Sequence, residues 1–374
     1  MSAEKDTRGL RGISAGQTAI ATVGKEGFGL TYRGYDIAEL AEHSTFEETA
    51  YLLLRGELPK AAELDAYGRE LAALREVPAA LREVLERIPA GAHPMDVLRT
   101  GCSMLGTIEP EGDFSRQLEV ANRLIAVFPG ILLYWHRFAV EGERIETITD
   151  EPSLAAHFLH LLHGESPSTL HARALDVTLI LYAEHELNAS TFTARVCAAT
   201  LSDFYSAVTG AIGTLRGPLH GGANEAAMEL IDRFASAGEA AAEVRKMLER
   251  KEKIMGFGHA VYRVKDPRNA VIKSWAEKLS KEAGDERLYP VSVAIDNVMH
   301  EEKKLFPNLD FYSASAFHFL GVPTPLFTPI FVCSRISGWA SHIVEQRADN
   351  RLIRPTADYV GPEIRPYIPI GERG

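Results

Sequence analysis

Leu326-Phe-Thr-Pro-Ile-Phe-Val-Cys-Ser-Arg-Ile-Ser-Gly-Trp-Ala-Ser-His-Ile-Val-Glu-Gln346 is a long, mostly apolar stretch. Its large apolar residues, Phe327, Ile330, Phe331, Ile336, Trp339, Ile343 and Val344, recur at helical spacing, so it is predicted to be a buried core helix. The same period recurs outward from it. Pro94–Leu105, Gln117–Tyr134 and Ala172–Glu186 read as helices, the last ending in the polar run Glu184-His185-Glu186. Glu239–Lys251 and Ala270–Ala283 read as amphipathic helices. In Ser44–Leu54 the pattern S-x-x-E at Ser44 and Glu47 predicts a capping box. Strand signals are sparse. Thr18–Val23 and Leu30–Tyr32 flank a glycine-rich turn, Gly24–Gly29, and predict a minor N-terminal β-hairpin. Without repeated strand–helix alternation, GxGxxG or P-loop, the expected class is all-α rather than Rossmann or TIM.

At 374 residues the chain is expected to form two domains, or a large domain with a smaller one inserted. With 46% hydrophobic and 24% charged residues it has the balance of a soluble globular protein. No apolar run is read as long enough to span a membrane, and the polar start MSAEKDTRGL does not read as a secretory signal. The cysteines, Cys102, Cys197 and Cys333, are widely spaced and form no CxxC, so a cytoplasmic setting is expected. The net charge of −11 argues against general nucleic-acid binding. The balance is uneven, however: Arg245–Arg268 holds eight Lys/Arg and three acids, +5 in a chain whose remainder is −16. Such a run is either a solvated helix face or a local site for an anionic ligand.

Three segments carry chemistry. In Arg216-Gly-Pro-Leu-His-Gly-Gly-Ala-Asn-Glu225, His220 stands before two glycines and a helix. A lone histidine is more often structural, but one at a glycine-rich helix entrance is rigidly placed and open to a cleft. In Gly256-Phe-Gly-His-Ala-Val-Tyr-Arg-Val-Lys-Asp-Pro-Arg268, glycines flank Phe257 just before His259, allowing tight turns and close approach of a large ligand. In Phe306-Pro-Asn-Leu-Asp-Phe-Tyr-Ser313, Asp310 lies between apolar residues. Such a carboxyl is expected to have a raised pKa and to serve as a base, and it is equally a candidate helix N-cap.

These three segments, in this order, resemble the active-site segments of the citrate synthase family. The resemblance covers nearly the whole chain. Tyr182-Ala-Glu-His-Glu-Leu-Asn-Ala-Ser-Thr191, Ile343-Val-Glu-Gln-Arg-Ala-Asp-Asn-Arg-Leu-Ile-Arg-Pro355 and Tyr359-Val-Gly-Pro-Glu-Ile-Arg-Pro366 are similar to the 2-methylcitrate synthases within it. The resemblance implies a citrate synthase-like fold with a large helical domain, residues 1–221 and 321–374, and a small one, residues 222–320. It implies condensation of propionyl-CoA with oxaloacetate and water to give 2-methylcitrate and CoA, with acetyl-CoA also accepted to give citrate. The alternative is a citrate synthase whose main substrate is acetyl-CoA.

By position, His220 corresponds to the donor to the thioester carbonyl, His259 to the donor facing the oxaloacetate ketone, and Asp310 to the base. His185, Arg268, Arg335 and Arg354 correspond to the groups that bind oxaloacetate, Arg354 arriving from the neighbouring subunit of a homodimer with shared sites. Lys253, Ile254, Met255, Gly256 and Phe257 correspond to the CoA-binding run. Tyr182 and Leu309, next to His185 and Asp310, are acyl-pocket candidates. The chemistry suits these residue types. Removing a weakly acidic thioester α-proton needs a base and a simultaneous donor to the enol(ate) oxygen, and arginines grip carboxylates in pairs of bonds. No step requires a metal or redox cofactor.

Two other classes compete. A metal hydrolase would draw on His157, His160 and His163, but HFLHLLH has no carboxylate in register, unlike HExxH, and reads as a structural helix. A non-catalytic CoA- or nucleotide-binding module would not need the complete set His220, His259 and Asp310.

Overall fold

The computed structural model describes residue 9 and residues 13–24 and 29–373. Among these the chain is almost entirely helical. A small sheet, β1 (Ala21–Val23), β2 (Leu30–Tyr32) and β3 (Tyr35–Asp36), precedes α1 (Ile37–His43), α2 (Phe46–Arg55), α3 (Ala61–Ala73), α4 (Ala79–Leu85) and α5 (Pro94–Ile108). Then come α6 (Gln117–His136), α7 (Leu154–His163), α8 (Thr169–Tyr182), α9 (Ala189–Ala199), α10 (Phe204–Leu215) and α11 (Ala223–Ile231). The last five are α12 (Ala237–Glu249), α13 (Asn269–Glu282), α14 (Leu288–Lys303), α15 (Leu309–Phe319) and α16 (Phe327–Ala348).

The apolar stretch Leu326–Gln346 becomes α16, buried along nearly its whole length. It packs on α2, α6, α8, α9 and α10 and so forms the axis of one helical layer. A second group forms where α12 packs on α14, and α15 on α11 and α13. The segments carrying the three motifs lie where these two groups meet.

Local chemistry departs from expectation at several points. The capping box at Ser44 and Glu47 is not formed. Thr45 caps α2 through the Glu48 amide, and Ser44 ends α1. Glu47 is instead buried and accepts the Leu154 amide at 2.6 Å, satisfying an open donor at the start of α7. Helix α8 stops at Tyr182, and Glu184-His185-Glu186 leaves the helix, Glu186 adopting φ +51°. The hairpin gains a third strand because Arg33 (φ +49°) and Gly34 (φ +92°) make a two-residue turn with both central residues left-handed, the geometry that matches strand twist. Residues 25–28 of the predicted glycine-rich turn, and residues 1–8 and 10 of the polar start, lie outside the described residues.

No run was expected to reach membrane-spanning length, yet Phe114–Glu141 does so by length and composition. Since 83% of its apolar window is buried against the rest of the chain, it is the core helix it packs as. The three histidines of HFLHLLH separate: His157 bonds Thr149, His160 bonds Glu151, and His163 bonds the Leu320 carbonyl.

Close helix packing rests on glycine. At Gly338, inside α16, a Cβ would collide with the Ala183 carbonyl and the Glu184 carboxylate, on the segment that carries His185. At Gly68, in α3, a Cβ meets open space. Gly338→Ala is therefore expected to lower stability by about 1–3 kcal/mol through overpacking. Gly68→Ala should raise it by about 0.4–1 kcal/mol by restricting the unfolded chain. Urea midpoints of the two variants check this; shifts of the same sign would contradict it.

Candidate active site

A cleft of about 630 Å³ opens between the two helical groups. Tyr182 and His185 reach it from the end of α8, His220 from the 217–222 turn, and Phe331 and Arg335 from α16. Lys253, Ile254, Met255, Gly256, Phe257, His259 and Arg268 line it from the loop between α12 and α13, and Leu309 and Asp310 from the start of α15. The structure thus brings together every residue singled out from sequence except Arg354. That residue is exposed in the extended segment after α16 and is not among those lining the cleft of its own chain.

Two motif segments are tied into one wall. Gly256 (φ +85°) and Gly258 (φ +72°) are left-handed, which their glycine identity permits. The loop they shape runs antiparallel to residues 306–308. The Gly258 amide donates to the Phe306 carbonyl at 2.8 Å and the Asn308 amide to the Gly256 carbonyl at 2.9 Å. The Phe257 ring packs on Phe311, with centroids 4.5 Å apart. Asp266 adds a buried clamp. Its carboxylate takes two bonds from the Arg268 guanidinium, at 2.9 and 2.8 Å, and one from the Leu309 amide at 3.1 Å. Burial alone would raise the Asp266 carboxyl, but Arg268 outweighs it and holds the group below the usual carboxylate range.

The basic run splits along the same line. Arg245 pairs with Glu301 and Glu302, and Lys246 and Arg250 with Glu243, so this part is a solvated face with acid partners. Lys253 and Arg268, further along, line the cleft.

Arg335 is 1% exposed and Arg268 5%. Arg335 spends Nε on the Tyr182 carbonyl at 2.7 Å and lies 4.6 Å over the Phe331 ring. Its terminal nitrogens have no hydrogen-bond partner among the described residues and are open to an anion. These buried cations shape the histidines. Burial, then Arg268 and neighbouring charges, push His185 well down; Nε2 of its ring meets the Tyr262 hydroxyl at 3.0 Å. His259 is pushed down to about 4 by burial and Arg268. Its Nδ1 accepts the Val261 and Tyr262 amides at 3.0 and 3.3 Å, which leaves the proton on Nε2. His220 is likewise pushed down to about 4 by burial and Arg335. Its Nε2 lies 3.3 Å from the Ser190 amide, an open N–H in the first turn of α9, and 2.8 Å from the Ser190 hydroxyl; because an amide N–H can only donate, Nε2 is the acceptor and the proton sits on Nδ1. At neutral pH both rings are uncharged donors.

Asp310 is not the N-cap of α15. Asn308 holds that place and accepts the Asp310 amide at 3.0 Å. Asp310 occupies the first turn, where the helix dipole favours an anion. Burial raises its pKa, opposed by the Tyr182 hydroxyl, which donates to Oδ1 at 2.6 Å, and by Arg268. The arrangement can accept a carbon-bound proton at Asp310 while neutral donors face developing oxyanions.

Sequence reasoning did not single out Asp266, Ser190, Asn308 or Tyr262. Asp266 and Tyr262 were visible inside the second motif, and Arg268, the main partner of Asp266, lies in it too, but the Leu309 amide and His185 reach them only through chain folding. Ser190 meets His220 from a separate helix, and no local spacing announces it.

The sequence matches the family described as "Citrate synthase, C-terminal domain" over residues 9–356. It is 64% identical to the 2-methylcitrate synthase of Shewanella oneidensis, over 98% of this chain and 97% of that one. It is 45% identical to citrate synthase 2 of Bacillus subtilis, over 98% and 99%. The fold matches citrate synthase from Thermoplasma acidophilum, solved as a ternary complex with carboxymethyl coenzyme A and oxaloacetate, with TM-score 0.91 and 30% identity over 99% and 100% of the two chains. The cleft, the fold and these likenesses agree: the chain belongs to the citrate synthase family.

Proposed function

We propose that the protein condenses propionyl-CoA with oxaloacetate and water to give 2-methylcitrate and CoA, and that it also turns acetyl-CoA into citrate. The observation that carries this is the convergence of one carboxylate, Asp310, with two neutral histidines and two buried arginines in a single cleft. Asp310 removes the α-proton of the thioester while Nδ1–H of His220 donates to the carbonyl oxygen as it becomes an enol(ate). The carbon then attacks the oxaloacetate ketone, whose oxygen gains charge and is met by Nε2–H of His259. Arg268, Arg335 and His185 hold the oxaloacetate carboxylates. Water cleaves the product thioester and releases CoA, whose body lies along Lys253–Phe257. No group beyond the substrates and these side chains enters any step.

Leu309 and the Tyr182 ring border the space beside Asp310 where the acyl group would sit. Propionyl and acetyl differ by one methylene, worth about 1–3 kcal/mol, so both are accepted and the preference is a ratio of rates. The comparison of kcat/KM for propionyl-CoA and acetyl-CoA at saturating oxaloacetate decides it. Propionyl-CoA should be the better substrate, by no more than about 10- to 200-fold. A higher value for acetyl-CoA would favour the alternative, a citrate synthase.

The division into a large part, residues 1–221 and 321–374, and a small part, 222–320, belongs to the same proposal. The cleft supports it, because His185 and Arg335 come from one part and His259, Arg268 and Asp310 from the other. The three cysteines are free thiols, two of them buried, which suits a cytoplasmic setting.

We also infer a homodimer with shared sites. After α16 the chain runs extended and presents Val360, Ile364 and Tyr367 almost wholly to solvent. An apolar segment of this kind is stabilised by lying on another surface. If a second copy supplies it, Arg354 enters the partner's cleft and completes its carboxylate-binding set. Mixing an Asp310→Asn chain with an Arg354→Ala chain should then restore activity through hybrid dimers. No recovery after verified subunit exchange would contradict the shared site.

A further inference from the structure

The Tyr182 side chain is buried at the C-terminal end of α8, its ring tilted against Phe331 with centroids 4.4 Å apart. Its hydroxyl donates to Oδ1 of Asp310 at 2.6 Å, the short distance typical of an O–H bond to a carboxylate. Burial and the Asp310 charge raise the phenol pKa well above its usual value, so Tyr182 remains a donor throughout the working pH range. The Asp310 amide is fixed by Asn308, but that bond leaves the carboxylate free to rotate. Among the described residues, Tyr182 is the only hydrogen-bond partner of the carboxylate itself.

We propose that Tyr182 is a positioning residue for the base, holding Oδ1 of Asp310 so that Oδ2 faces the cleft and takes the α-proton. This rests on the reading of Asp310 as the base. The bond does two things at once. It fixes the plane of the carboxylate, which proton transfer from carbon demands, and it favours the ionised form in a site where burial disfavours it. It also spans the chain: Tyr182 lies in the segment before residue 222 and Asp310 in the segment 222–320, so the base is aligned only while the two parts are together.

The charged and titratable groups around Asp310 are few. Arg335 faces it from α16, and Arg268 and Asp266 from the loop before α13. His220 and His259 share the cleft. On α13 and α14, Lys273 and Asp296 engage Tyr312, two residues on and on the opposite side of α15. The two arginines lower the Asp310 pKa and Asp266 raises it. None of the three hydrogen-bonds the carboxylate, so none orients it.

The test uses the full-length enzyme with Tyr182→Phe, and with 3-fluorotyrosine incorporated at position 182. The first removes the donor; the second keeps shape and packing but donates more strongly. The readouts are the pH dependence of kcat/KM for propionyl-CoA, exchange of the thioester α-protons in heavy water, and oxaloacetate affinity. In Tyr182→Phe the acidic limb should move up by about one pH unit. Exchange should fall about 10- to 100-fold as the carboxylate loses its alignment. In the fluorinated protein the acidic limb should move down, and in both oxaloacetate affinity should match the parent. Superimposable profiles for all three proteins would overturn the proposal, as would loss of oxaloacetate affinity in both variants, which marks a purely structural role. Asp310→Asn is measured alongside. Abolished exchange there supports the base assignment independently of Tyr182; persisting exchange overturns that assignment and this inference with it.

Discussion

Two guanidinium groups, Arg268 and Arg335, are almost fully withdrawn from water in one cleft, and the rest of the site is arranged around that positive charge. Buried charge is costly unless it is compensated. Asp266 compensates Arg268 with a bidentate contact, and the same carboxylate takes the Leu309 amide, so one charge pair also sets the start of the helix that bears Asp310. Arg335 keeps its outer nitrogens unspent, and the cleft therefore selects an anionic ligand able to use them.

The same field settles the state of the histidines. The rings of His185 and His259 have centroids 5.0 Å apart. Two imidazolium charges at that separation would repel by roughly 3 kcal/mol at an effective dielectric of about 20, before the arginines are counted. The rings stay neutral, and neutral imidazoles need their single proton pointed at the substrate. Backbone amides achieve this by occupying the opposite nitrogen: Val261 and Tyr262 for His259, and Ser190 for His220. Beneath them runs a buried relay in which Arg195 donates to Nδ1 of His342 and Nε2 of His342 to Glu184, the residue before His185. Arg335, Gly338 and His342 recur at helical spacing on α16. One face of that helix thus supplies a buried guanidinium to the cleft, the close approach of the 183–184 segment, and the partner that fixes it.

Much of this was legible in the sequence. The apolar period of Leu326–Gln346 identified the central helix, and the three glycine-bracketed or apolar-flanked segments held His220, His259, Arg268 and Asp310; Tyr182, His185, Arg335 and Lys253–Met255 joined them only through the resemblance to the family. What escaped had physical reasons. Ser44 and Thr45 are adjacent cap formers, and spacing alone chose the wrong one because Glu47 turned inward to serve a helix more than a hundred positions away. Helix α8 ended earlier than its apolar pattern because Glu184 and His185 are held by Tyr32 and Tyr262 from elsewhere in the chain. The role of Asp266 depends on a loop closing on itself and on a later helix. Local spacing reports periodicity and caps well, but it carries no record of contacts made across the fold.

His220 and His259 are both uncharged and are locked in opposite tautomers by backbone amides. Nitrogen-15 NMR of the histidine side chains, assigned through His220 and His259 substitutions, tests it directly. At pH 7 two neutral imidazoles are expected, with the proton on Nδ1 in His220 and on Nε2 in His259, and no protonation until the pH falls toward about 4. An imidazolium at either position at pH 7, or the reverse pair of tautomers, would contradict it.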